Sequence, residues 1–274
     1  LLHRRMALAP GGFADLGRVA ALVGRRRELE RYRLDGRRVI SEFRAHGGDY
    51  EASAILVLDY TVVRVFEDGS SLELTHNIMH LQSEQAVDAR GEYQPPENAR
   101  LLTLRTVKAD GRRVEPDAIQ GKDTISLPEL APGDYVEVEY LRPHAAPQGF
   151  PEGYLGERFY FQSYETPFHR SQLTLVTPRD MDVVVDPRGP APVATETLVG
   201  NTLVRTWLVR SSTPLVQEPM SVAPTEFFSS VKVARNATWN QLFASMRDAL
   251  ADQALWDPAA EALARSIAGD STDP

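Results

Sequence analysis

His76 and His80 stand four residues apart in the run Thr75-His76-Asn77-Ile78-Met79-His80. On a helix this spacing turns two imidazoles toward one metal ion. The flanking residues favour a strand, where positions i and i+4 share a face but lie about 13 Å apart, too far to share an ion. No Glu stands between them as in the zinc-protease helix motif, so both read as ordinary strand histidines. A metal-dependent hydrolase would have to recruit His144 or His169 as well, and no metal or cofactor site is expected.

Asp59, Asp68, Asp110 and Asp134 are the acid/base candidates. Asp68 and Asp110 each precede a glycine and Asp134 follows Gly133, so turn chemistry accounts for these three. Asp59 lies in strand-like sequence, and no local rule explains it. Glu137 and Glu139 alternate with Val136, Val138 and Tyr140, which predicts one apolar face and one acidic face turned to solvent.

The sequence has no cysteine, which excludes disulfides, thiolate metal sites and a Cys nucleophile within these residues. No G-x-S-x-G word supports a serine hydrolase. Gly11-Gly12 and Gly47-Gly48 are too short to cradle a phosphate and follow no strand. No catalytic constellation is legible, and no catalytic residue is assigned. Among the aromatic residues, Phe159 and Phe161 share one strand face and read as core. Tyr154, Tyr160 and Tyr164 are the candidates for an exposed platform that binds a sugar or a peptide.

The elements that would position these groups follow from periodicity. Leu16, Val19, Ala20, Val23 and Leu29 recur near 3.6 and predict a helix over 13–33. A second helix is predicted over Gly36–Ala45, with Val39, Ile40 and Phe43 on one face. The pair resembles the end of a tetratricopeptide-type array, though a single incomplete unit shows no period. Gly47-Gly48 closes this segment. From Ala54 the pattern is β, with long strands at 55–66, 72–81, 100–107, 135–141, 172–177 and 202–209 and shorter ones between them. Turn residues separate these strands every ten residues or so, which predicts an antiparallel β-sandwich. The Pro- and Gly-rich loop over 144–156 is expected to be exposed. At Thr238 the pattern returns to helix. Thr238 can cap it, Gln241 sits at the capping-box position, and Leu242, Met246 and Leu250 form an apolar stripe with no visible partner. Asp257-Pro258 opens a further helix. Three segments result: a helical segment over 1–48, a β-sandwich over 49–236 and a helical lead-in over 237–274. The fold class is mainly β with short flanking helices at both ends.

At 274 residues, 42% hydrophobic and 25% charged, the composition is that of a globular protein. No run of about 18 apolar residues is present, so no transmembrane helix is expected. No signal peptide is visible, and the chain, starting at Leu1, reads as an excised piece. Net charge is −8, yet residues 1–46 carry eleven arginines against five acids. Glu28, Glu30 and Glu42 interleave with those arginines at helical spacing, which reads as a solvated helix face rather than a nucleic-acid arm. The acidic remainder would repel nucleic acid and anionic lipid. A cysteine-free chain tolerates either redox state, which leaves the compartment open.

From about Glu51 to Trp239 the sequence resembles a bacterial domain of unknown function that precedes transglutaminase-like domains. The words that carry the resemblance are VVRVFEDGSSLELTHNIMHL (62–81), LRTVKADGRRVEP (104–116), IQGKDTISLPELAPGDYVEVEY (119–140), RFYFQSYETPFHRSQL (158–173) and Gln217-Glu218-Pro219, in the family's order. The resemblance implies a β-sandwich accessory domain, often preceded by helical repeats and followed by a papain-like transglutaminase core. It favours a periplasmic or secreted setting, with a cytoplasmic one left open. The implied partner is that downstream core in the same chain, with Leu242, Met246 and Leu250 as the interface. The family's chemistry belongs to a Cys-His-Asp triad in the downstream core, so nothing catalytic carries over to this cysteine-free chain. The rival reading is a freestanding module that binds carbohydrate or peptide.

Overall fold

The computed structural model describes residues 29–117, 123–147, 150, 152–215, 220 and 222–238, with single positions between 240 and 266. The helix predicted over 13–33 does not reach Arg33. Leu29 has φ 64°, a 3-10 turn follows at Glu30–Tyr32, and Arg33 is extended. The turn is held from the sheet, because the Tyr60 hydroxyl donates to the Tyr32 carbonyl at 2.9 Å. Residues 13–28 lie outside the described residues. Helix α1 (Gly36–His46) follows, capped by the Asp35 side chain, which accepts from the Arg37 N–H at 3.0 Å. Val39, Ile40 and Phe43 form its buried face, as their spacing predicts.

Eight strands form one large sheet. From edge to edge they are β12 (Thr195–Val199), β13 (Thr202–Ser212), β10 (Phe168–Pro178), β1 (Ala54–Val65), β2 (Ser71–Leu81), β7 (Tyr135–His144), β4 (Arg100–Val107) and β5 (Arg113–Val114). A smaller sheet is ordered β11 (Val184–Arg188), β14 (Ser230–Arg235) and β8 (Tyr154–Leu155), with β9 (Phe159–Tyr160) also paired to β14. β3 (Glu92–Tyr93) and β6 (Ile125–Ser126) make a small ribbon, and helices α2 (Glu84–Arg90) and α3 (Pro224–Phe227) are short. The molecule is mainly β.

Pairing in the large sheet is antiparallel except between β1 and β10, which run parallel from Leu56 opposite Phe168 to Arg64 opposite Val176. That departs from the antiparallel reading. Parallel pairing needs a long crossover, and here all of β2 to β9 intervenes. The β1–β2 hairpin is as expected. Gly69 takes φ +87°, and Asp68 Oδ1 accepts from the Ser70 N–H at 3.0 Å. Asp110 and Asp134 also serve turns, accepting from the N–H groups of Arg112 at 2.8 Å and Ala131 at 2.8 Å.

β1 shows why the large sheet has two working faces. Leu58, Tyr60 and Val62 join Ile40 and Phe43 of α1 in one core. Val63 and Val65, on the opposite face, join Leu175 and Trp207 with Phe161 and Val233 of the smaller sheet's side. Between Leu56 and Leu58 the register shifts. The extra residue allows Val57 and Leu58 both to be buried. Among the described residues of the loop over 144–156, Ala145, Glu152 and Leu155 are exposed, as its composition suggests, but part of it turns inward. Phe150, Gly153 and Tyr154 are buried, and a β-carbon on Gly69 would sit 1.9 Å from the Gly153 carbonyl oxygen.

Candidate functional site

The face of the large sheet turned toward the smaller one carries polar residues where its alternation passes under β8, β9 and β14. Three cross-strand rows build the floor. Ser171, Asp59 and Asn77 stand side by side on β10, β1 and β2. Leu173, Thr61, Thr75 and Tyr140 form the next row, and Leu175, Val63, Glu73 and Arg142 the third. Tyr154, Arg158, Phe159 and Val233 supply the roof, and the cavity, partly open to solvent, measures about 310 Å³. That volume suits a small ligand. A second hollow of about 150 Å³ shares Glu73, Tyr154 and Glu157 and extends toward His144 and Pro147.

The charges in the cavity are unequally matched. Arg142 donates to Glu157 at 2.9 Å and lies 3.5 Å from Glu73. Burial would raise the Glu73 carboxyl, but the His144 hydrogen bond and the Arg142 charge outweigh it and hold Glu73 below the usual carboxylate range. Arg158 is paired with Asp186 and donates to Ser230 Oγ at 3.3 Å. Asp59 differs. Among the described residues its partner is the Ser171 hydroxyl, donating at 2.7 Å, and no cation is paired with it. Burial pushes the Asp59 carboxyl up to about 7, against a smaller opposing effect of the Ser171 hydrogen bond. Burial likewise raises the Tyr154 hydroxyl, helped by Glu73 and Glu157.

The opposite face of the same sheet overturns the solvent reading of Glu137 and Glu139. Both are 2% exposed. Arg105 Nε donates to Glu137 at 2.7 Å, and His76 Nε2 lies 3.2 Å from it. Arg33, from the segment before α1, grips Glu139 through both carboxylate oxygens, and Thr103 also donates to it. Charge partners from the two flanking strands and from the segment before α1 make the acidic face an interior one. His76 is spent in this network, whereas His80 stacks on Tyr135 with ring centroids 4.4 Å apart. Among the described residues no group of three or more His, Asp or Glu is arranged to hold a metal ion.

The three candidate tyrosines do not form one exposed platform. Tyr154 is buried and belongs to the core between the sheets, where its strand pairs with β14. Tyr160 and Tyr164 both pack on Phe228, at 6.1 and 4.6 Å between ring centroids. Phe159 and Phe161 meet edge to face at 5.0 Å, as expected of a core pair. Of the apolar stripe, Met246 is 51% exposed and Leu250 63%, while Leu242 lies outside the described residues. The capping box ahead of them is formed. Gln241 N–H donates to Thr238 Oγ1 at 3.3 Å, and Thr238 N–H donates to Gln241 Oε1 at 3.0 Å. No helix among the described residues is long and apolar enough to cross a membrane.

Sequence reasoning isolated Asp59 but missed Asn77, Glu73, Arg142 and Arg158 around it. A signal was present, because Glu73, Thr75 and Asn77 alternate with Leu72, Leu74 and His76 along β2.

No protein-family model matches the sequence, and no curated protein does. Among solved structures, a "putative protease" from Parabacteroides distasonis superposes with a TM-score of 0.63 at 13% identity, over 80% of this chain and 47% of that one. At that identity the likeness is one of fold, and the chain spans about half the length of the protein it matches. An aminopeptidase A from Legionella pneumophila, in complex with aspartic acid, gives a TM-score of 0.34 at 9% identity, over 70% of this chain and 22% of that one.

Proposed function

We propose that this chain is a non-catalytic accessory unit of a transglutaminase-like protein, built as a β-sandwich, and that it positions the catalytic core or that core's substrate. The observation that carries the reading is the partial coverage. The same β architecture fills 80% of this chain but 47% of a longer protein described as a "putative protease". The ordered sequence words from Val62 to Pro219 support it, and so does the lack of any cysteine for a Cys-His-Asp triad. Met246 and Leu250, both more than half exposed, supply an apolar surface for a neighbouring domain.

Two measurements test this. The native reading frame beyond the codon for Pro274 is expected to continue and to encode a Cys, a His and an Asp in that order. The 274-residue chain is expected to show neither proteolysis nor acyl transfer, and either activity in it would overturn the reading. The cavity favours a second reading, a freestanding module that binds a peptide or a carbohydrate. A stop codon directly after Pro274, with positive peptide or glycan arrays, would put that reading first.

A further inference from the structure

The cavity between the sheets holds one acid that no cation among the described residues neutralises. Its two arginines are matched by Glu73, Glu157 and Asp186, whereas Asp59 is met by a serine hydroxyl alone. Next to Asp59 in the register stands Asn77, whose buried Oδ1 has no hydrogen-bond partner among the described residues. A buried acceptor without a donor is costly, because it has given up water and gained nothing in return. The terminal torsion of an asparagine is broad, so the amide can turn its oxygen toward the cavity. Thr61, two residues along β1 on the same face, adds a hydroxyl. From this polar end an apolar strip runs through Leu173, Leu175 and Val233, beside the paired charges of Glu73, Arg142 and Arg158.

We propose that this cavity binds an aliphatic primary amine, with its ammonium between Asp59 and Asn77 and its alkyl chain over Leu173, Leu175 and Val233. An ammonium offers three donors around a compact charge, which matches one carboxylate, one amide oxygen and one hydroxyl. A guanidinium needs a free carboxylate edge for its planar fork, and Ser171 already occupies Asp59 Oδ2. A sugar would leave the Asp59 charge unmatched. An anion would meet arginines already committed to acids and a carboxylate held nearby. The amine site stands on the cavity alone, whatever domain the chain adjoins.

Titration of n-butylamine into the 274-residue chain at about pH 8, followed by calorimetry and by NMR of side-chain amides, tests the site directly. Saturable binding in the millimolar range is expected, with a shift of the Asn77 amide resonances and no matching response to n-butanol or butyrate. Asp59→Asn keeps the shape and removes the charge, and it is expected to weaken binding by about tenfold or more. Lowering the pH from about 8 to about 6 is expected to weaken binding about tenfold in the wild type, as Asp59 takes up a proton. Glu73, Glu157, Arg142, Arg158, Tyr140 and Tyr154 share the cavity, and His144 faces the adjoining hollow. The pH effect is therefore expected to survive in His144→Gln. If Asp59→Asn fails to fold, the wild-type pH series and the Asn77 shift decide. Preference for butyrate, unchanged affinity in Asp59→Asn, loss of the pH effect in His144→Gln, or no saturable butylamine binding overturns the proposal.

Discussion

A β-carbon on Gly36 would sit 2.0 Å from Glu137 Oε1. The first residue of α1 thus packs directly on a buried carboxylate of β7, and the two elements approach this closely because the position is glycine. Gly36→Ala must push Glu137 away from Arg105 and His76, and a loss of about 1–3 kcal/mol is expected from this overpacking. Gly91→Ala, after α2, is the control. Its β-carbon would meet only the Val87 carbonyl oxygen, at 3.9 Å, and a change within about 0.5 kcal/mol is expected. Urea denaturation of the two variants side by side checks this, and equal midpoints would show that Glu137 yields without cost.

The two buried glutamates differ in what their loss leaves behind. Removing Glu137 strands Arg105, whose side chain is 19% exposed, and His76, whose side chain is 1% exposed. Glu137→Ala is expected to cost about 3–5 kcal/mol. Removing Glu139 leaves Arg33, whose side chain is 41% exposed and can turn to water, so Glu139→Ala is expected to cost less. Burial alone would raise the Glu137 carboxyl, but hydrogen bonds from His76 and Arg105 hold it below its ordinary value. A carboxyl lowered in the folded state stabilises fully above its unfolded value and loses that contribution as pH falls through the lowered one. Thermal melts from neutral pH into the acid range are therefore expected to fall less steeply in Glu137→Gln than in the wild type. Parallel acid limbs would show that Glu137 is not the group that titrates.

Much of this architecture is legible in the sequence, because periodicity is a local signal. The face of α1 follows from Val39, Ile40 and Phe43, and the two faces of β7 from the alternation of Glu137 and Glu139 with Val136 and Val138. What alternation cannot say is which face meets water. The acidic face is interior because Arg33 and Arg105 reach it from 106 and 32 residues away. The parallel pairing of β1 with β10 is hidden for the same reason. So is the cavity, where Asp59 meets Ser171 across 112 residues. Short elements such as β8 and β9 carry too few residues to show a period, and these shape the roof. The aromatic chemistry of Tyr154 alone points to a surface, and the pairing of its strand with the smaller sheet buries it.

Met246 and Leu250 distinguish an interface from a core. Both are more than half exposed, so Met246→Ser and Leu250→Ser are expected to change the unfolding free energy of this chain by no more than about 0.5 kcal/mol. In a longer native protein that includes the proposed neighbouring domain, the same substitutions are expected to lower stability or expose the joint to proteolysis. A large loss of stability in the 274-residue chain itself would mean that the stripe packs within it.

Asp59 sets a cost that depends on pH, and the sign is opposite to that of Glu137. Its carboxyl is pushed up to about 7 by burial, well above the ordinary aspartate value of 3.8. Between those values the folded protein holds a proton that the unfolded chain has released, so stability falls as pH rises through this window. Above about pH 7 the folded state carries an unpaired carboxylate at a cost of a few kcal/mol. Asp59→Asn removes the titration and keeps a neutral partner for Ser171. The variant is expected to match the wild type near pH 4 and to exceed it at about pH 8, where the wild-type carboxylate is ionised. Chemical denaturation at the two pH values measures the difference. A stability gap independent of pH would show that Asp59 is ionised throughout, while a gap that opens as the pH rises would show that the chain retains a destabilising acid in its cavity, as expected of a group kept for binding rather than for folding.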